Sequence, residues 1–153
     1  MAIIKKLKTF FSLNQNKRRL ILEAFLYLGW ARFLKSKPFY EISPQLGIHM
    51  EETVIGYSED DHQIIRDISE AINIMSHYTF WESLCLVRAI AALKMLEKRR
   101  IESTLYLGMA RNESGKMIAH AWLRSGPIYV TGFEGMKRFT VVGKFAKKIS
   151  IKG

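Results

Sequence analysis

The hydrophobic period of this chain changes once, near residue 102, and that change decides its fold class. Before it, apolar residues recur at helical spacing: Ile64, Ile68, Ala71, Ile72 and Met75 follow i, i+4, i+7, i+8 and i+11. After it come three short apolar runs, Thr104 to Ala110, Met117 to Leu123 and Ile128 to Thr131. Two turn sequences part them, Asn112-Glu113-Ser114-Gly115 and Ser125-Gly126-Pro127. Helices followed by an antiparallel meander make an α+β domain.

The remaining elements follow from local signals. Residues 15–35 predict a helix that is apolar on most sides (Leu20, Ile21, Leu22, Phe25, Leu26, Leu28, Trp30, Phe33, Leu34). Such a helix must be covered, by the rest of the domain or by a partner. Pro38 suits the first turn of a short helix over 38–46, with Gly47 as its stop. Residues 48–60 read as a polar, acidic loop. Ser58, Asp60 and Asp61 supply capping chemistry for the helix that carries Ile64. Tyr78-Thr79-Phe80 leads into a further helix over 81–99, ending in Lys98-Arg99-Arg100, where cations complement the dipole. The basic end, 137–153, adds either a strand around Phe139 to Val142 or a final short helix. We divide the chain into an N-terminal helical segment, 1–47, and a main domain, 48–153, forming one compact unit.

At 153 residues, 48% of them apolar, the chain can bury a core without disulfides or metal staples. Its longest apolar stretch, Ala24 to Trp30, is far short of the roughly 20 residues that span a bilayer. Lys5, Lys6 and Lys8 interrupt the N-terminal apolar residues, so no secretory signal is expected. A cytoplasmic location follows, in which the lone cysteine, Cys85, stays a free thiol. The net charge of +10 gathers at the two ends, at Lys5, Lys6, Lys8, Lys17, Arg18 and Arg19 and again at Lys137, Arg138, Lys144, Lys147, Lys148 and Lys152. Such a field attracts an acidic peptide, an anionic lipid surface or nucleic acid. No nucleic-acid motif accompanies it, so nucleic acid is not an expected partner, whereas peripheral membrane contact is compatible with it.

Cys85 falls early in the 81–99 helix, where free backbone N–H groups and the dipole favour a thiolate. Its face continues Ala89, Ala92 and Leu96, and small residues let a helix lie close to a sheet. His120 stands in Ala119-His120-Ala121-Trp122, and strand alternation puts Ile118, His120 and Trp122 on one face. A thiol needs an imidazole to take its proton, and helix-then-strand delivery is one way to bring the two together. The bland reading of each is a small core cysteine and a satisfied structural histidine. His49, His62 and His77 show no ligand spacing with each other or with Cys85, so neither metal nor cofactor is expected.

Read together, Trp81-Glu82-Ser83-Leu84-Cys85-Leu86, the run Ala91 to Leu96, Leu105-Tyr106-Leu107-Gly108 and Ala119-His120-Ala121-Trp122-Leu123 resemble the transglutaminase-like cysteine proteases of lasso-peptide biosynthesis. Lys37-Pro38-Phe39 with Gly47 resembles the segment that precedes the catalytic domain there, and the resemblance covers roughly residues 20 to 143. It implies a transglutaminase/papain-like core and a peptidase that removes the leader from a ribosomal precursor peptide. Cys85 would be the nucleophile and His120 the general base and acid. Trp81 and Trp122, beside the reactive pair in these motifs, are candidate substrate contacts. The implied partners are the precursor, a leader-binding recognition protein and a cyclase resembling asparagine synthetase. One position departs from the pattern. Many members carry an Asp about twelve residues after the histidine, and here that position is Gly132. Glu134, Thr131 or a backbone carbonyl are the candidates to orient the imidazole instead. The competing readings are a non-catalytic peptide-binding module of the same fold and an acyltransferase or transamidase using the same pair.

Overall fold

A computed structural model describes residues 14–56, 59–77 and 85–149, together with Ile4, Lys5 and Lys8. Its helices are α1 (Gln15–Leu34), α2 (Phe39–Leu46), α3 (Glu59–Ser76) and α4 (Cys85–Lys98). Its strands are β1 (Ile48–His49), β2 (Ser103–Arg111), β3 (Met117–Ser125), β4 (Ile128–Thr131) and β5 (Thr140–Lys147), with a 3-10 turn over Met136–Arg138. The α+β architecture is the one the change of period implies. No helix among the described residues is long and apolar enough to cross a membrane.

Each helix has a readable local cause. The Asn14 side chain accepts the Lys17 amide at 2.8 Å and starts α1. Ile21, Ala24, Leu28, Ala31 and Leu34 then repeat every three or four residues and are buried. The same helix leaves Leu22, Leu26 and Phe33 in solvent, so the domain covers one face of it only. Pro38 is the N-cap of α2, one residue ahead of the helix whose first turn it was expected to join, and Gly47 follows the helix as expected. In α3 the buried arc is Ile65, Ile68, Ala71 and Ile72; Ile64, expected on that face, lies at its edge and is 36% exposed. Two adjacent isoleucines satisfy nearly the same period, and packing against α1 and α4 selects the second. Ser58, the expected cap, lies outside the described residues. α4 is buried along Ala89, Ala91, Ala92, Leu93 and Leu96, and packs on β2, β3 and β4.

The sheet is antiparallel throughout, in the order β1-β5-β2-β3-β4. The meander holds for β2, β3 and β4. The fifth strand does not extend it: β5 returns to the free edge of β2, pairing Leu105 with Phe145 and Tyr106 with Lys144. It is longer than expected and starts after Phe139, and β1 adds to it from inside the segment read as a loop. Leu105, Leu123, Val130 and Phe145 turn one sheet face into the same core as α1, α3 and α4. The N-terminal helix and the sheet therefore share one core. Arg99, at the end of α4, clamps α1 with a two-pronged hydrogen bond to Glu23, at 2.8 and 2.7 Å. Burial alone would raise the Glu23 carboxyl, but the Arg99 and Lys98 cations outweigh it and hold it below its ordinary range.

Candidate functional site

Cys85 is the first described residue of α4 and is half-buried. Trp81 and the segment 78–84 that leads into it lie outside the described residues. α4 packs on the sheet, but on the face that carries Leu123. Strand alternation sends His120, Trp122 and Arg124 to the opposite face. Among the described residues no hydrogen bond joins the Cys85 thiol to the His120 ring.

The histidine is held on several sides. Its Nε2 lies 2.8 Å from the Gly132 carbonyl oxygen. A carbonyl can only accept, so Nε2 carries the proton in this bond and the neutral ring keeps its lone pair on Nδ1. Trp122 stacks on the imidazole, with centroids 5.7 Å apart, and Phe139 tilts against it at 5.1 Å. Trp122 in turn stacks on Tyr106 at 5.6 Å and 12°. The result is a row of rings, Tyr106, Trp122, His120 and Phe139, along one sheet face. Trp122 is only 5% exposed, which places it behind the imidazole and not on an open substrate wall. Gly108, opposite His120 in the ladder, makes room for the row: a Cβ there would sit 2.7 Å from Phe139 Cβ and 2.8 Å from the Trp122 ring.

Of the candidates for orienting the ring, the backbone carbonyl is the one in contact. Glu134 is exposed and makes no hydrogen bond or ion pair among the described residues. The Thr131 hydroxyl is buried and has no hydrogen-bond partner there. Gly132 has φ +72°, and a Cβ on it would meet Ala121 O at 2.5 Å and Trp122 Cβ at 2.8 Å. The residue at the expected acid position thus presents its main chain to His120, and only a residue without a Cβ lets the chain pass so close to β3.

Two further residues escape a reading of motifs. Phe139 falls in the basic end, whose strand begins one residue later. Arg124, just past the apolar run Met117 to Leu123, is only 6% exposed. Its guanidinium donates to Tyr106 Oη at 3.0 Å, Gly126 O at 2.7 Å and Thr53 O at 2.9 Å. It ties the segment after β1 to the far end of the ring row, and Thr53 completes the tie with Thr104 at 2.7 Å. The alternation of β3 already pointed Arg124 to the same side as Trp122, which is the signal that could have found it.

The family model for the transglutaminase-like superfamily matches residues 25–144, spanning α1 to β5 and including both Cys85 and His120. No protein of curated function and no solved structure matched the sequence significantly.

Proposed function

The chain belongs to the transglutaminase-like superfamily, and from that premise we propose that it is a cysteine peptidase that removes the leader of a lasso-peptide precursor. The observation that carries the catalytic part is the His120–Gly132 bond, which leaves Nδ1 as the basic nitrogen of a ring fixed between Trp122 and Phe139. β4 pairs with β3 only at Leu123, Arg124 and Ser125, so the His120 stretch of β3 is unpaired on that edge. The reaction requires Cys85 to reach the imidazole around this edge, since α4 covers the other face. Catalytic hydrogen bonds are commonly long in substrate-free enzymes and tighten in the complex.

In the reaction Nδ1 takes the Cys85 proton as Sγ attacks the scissile carbonyl. It returns that proton to the leaving amine as the peptide C–N bond breaks. Nδ1 then draws a proton from water, whose oxygen displaces Sγ, and acid and thiol are regenerated. Substrate class and partners rest on the motif run around Cys85 and His120: a ribosomal precursor, a leader-binding protein that presents it, and a cyclase that closes the released core. The net charge of +10 suits an acidic leader.

Mass spectrometry of a candidate precursor, incubated with the chain and a leader-binding protein, tests the proposal. Two fragments whose masses sum to the precursor plus one water are expected, and none with Cys85→Ala. Cleavage by Cys85→Ala at the wild-type rate would end the reading. A product joined to an added amine, with no hydrolysis, would move it to a transamidase.

A further inference from the structure

We propose that the outer face of α1 docks on an anionic lipid bilayer, independently of the chemistry at Cys85. Leu22, Leu26 and Phe33, at i, i+4 and i+11, form a stripe on one side of the helix, and they are 55%, 69% and 65% exposed. The core takes the opposite side of α1, so the stripe is unpartnered within the described residues.

Charge decides what covers it. No acidic residue precedes Glu23, and none lies between Glu23 and Glu41. Glu23 itself is committed to Arg99 and Lys98. Against these stand Lys5, Lys6, Lys8, Lys17, Arg18, Arg19, Arg32, Lys35 and Lys37. Arg19 and Arg32 are exposed near the stripe, and the Lys37 ammonium lies 5.8 Å from the Phe33 ring centroid. The sequence ahead of α1 repeats the composition, with Ile3, Ile4, Leu7, Phe10 and Phe11 among its lysines. Leucine and phenylalanine on one helix side, where cations outnumber the nearby acids Glu23 and Asp67, is the pattern of a helix lying in a headgroup layer. The apolar groups enter the acyl boundary and the long cationic chains reach the phosphates. An acidic peptide would use the cations but has no need of an apolar stripe about three turns long, which favours the bilayer.

Co-sedimentation of the full chain with vesicles tests this. Phosphatidylcholine vesicles with about one third phosphatidylglycerol should pellet the protein, and pure phosphatidylcholine should not. Raising salt from about 0.1 M to 1 M should weaken the binding, because the Debye length falls from roughly 10 to 3 Å. Leu22→Ser/Leu26→Ser/Phe33→Ser should lower the affinity about tenfold or more, with an unchanged circular dichroism spectrum. Should the triple variant not fold, Arg19→Glu/Arg32→Glu/Lys37→Glu decides, with the same loss expected. Equal binding to both vesicle types, or no binding to either, overturns the proposal. So does a stripe-dependent dimer in sedimentation velocity without vesicle binding, or a polyglutamate peptide that binds the stripe while vesicles do not.

Discussion

Gly132 stands where an acid would be expected to orient the histidine, so Gly132→Asp looks like a repair. The structure predicts the reverse. An L-residue at φ +72° costs about 1–2 kcal/mol relative to glycine. The new Cβ would also sit 2.5 Å from Ala121 O and 2.8 Å from Trp122 Cβ, main-chain and near-main-chain atoms that cannot rotate away. Forcing them apart costs roughly 1–3 kcal/mol more. The sum, about 2–5 kcal/mol, lowers Tm by somewhere around 5–20 °C for a domain of this size. It also moves the carbonyl that holds His120, so turnover should fall together with stability. Gly135→Ala separates the two costs, since Gly135 has φ +76° and nothing within 4 Å of its would-be Cβ. It should show the backbone cost alone, about 1–2 kcal/mol. The assay is thermal unfolding of Gly132→Ala, Gly132→Asp and Gly135→Ala, with kcat on a precursor for each. If Gly132→Asp is as stable as the wild type, or faster, the argument for a main-chain orienter fails.

Glu134→Gln should leave kcat within about twofold of the wild type, because the exposed carboxylate touches nothing that holds the ring; a large drop in kcat at constant KM would put it back at the site. Glu23→Gln should cost about 1–3 kcal/mol at neutral pH by removing the charge from the Arg99 clamp. Because the folded Glu23 titrates below its ordinary value of 4.5, its stabilisation is present above that value and is lost as pH falls through the folded one. Denaturant melts of the two proteins should therefore converge in acid, and a constant gap would contradict the pairing. Arg124→Met should cost about 2–4 kcal/mol by leaving the buried Thr53 and Gly126 carbonyls unpaired. Hydrogen exchange should speed up at the Thr53 amide, now bonded to Thr104 Oγ1 at 2.9 Å; unchanged protection there would refute the tie.

Local signals carried α1, α2 and the β2–β4 meander, because caps, prolines and turn residues act within a few positions of where they stand. Asn112 shows why: its side chain accepts the amides of Ser114 and Lys116 at 3.0 and 2.9 Å, so the hairpin is written in one residue. The return of β5 to β2 was not legible, since Leu105 and Phe145 meet by long-range pairing that no local period encodes. Ile64 and Ile65 could exchange places on paper, and only the neighbouring helices break the tie. Cys85 and His120 were legible as residue types on a helix and a strand, but no hydrogen bond joins them among the described residues. The orienter was harder, because a backbone carbonyl has no letter of its own. Its trace in the sequence is a glycine where a side chain was expected.

A carbonyl in that place performs half of what a carboxylate does. It fixes the tautomer and the plane of His120, but brings no full negative charge to steady an imidazolium. A thiol tolerates this better than a hydroxyl. Cysteine is partly ionised near neutral pH and its thiolate is intrinsically nucleophilic, whereas serine depends wholly on the strength of its base. If Gly132 O is the only group on Nε2, Cys85→Ser should fold normally and fail to cleave. Its rate should fall by about 10⁴-fold or more, comparable to the loss when a triad carboxylate becomes neutral in serine proteases. The measurement is single-turnover cleavage of the precursor, with the variant's melting curve as the folding control. A serine variant that keeps more than about a tenth of the wild-type rate would mean that His120 has a counter-charge the carbonyl does not supply.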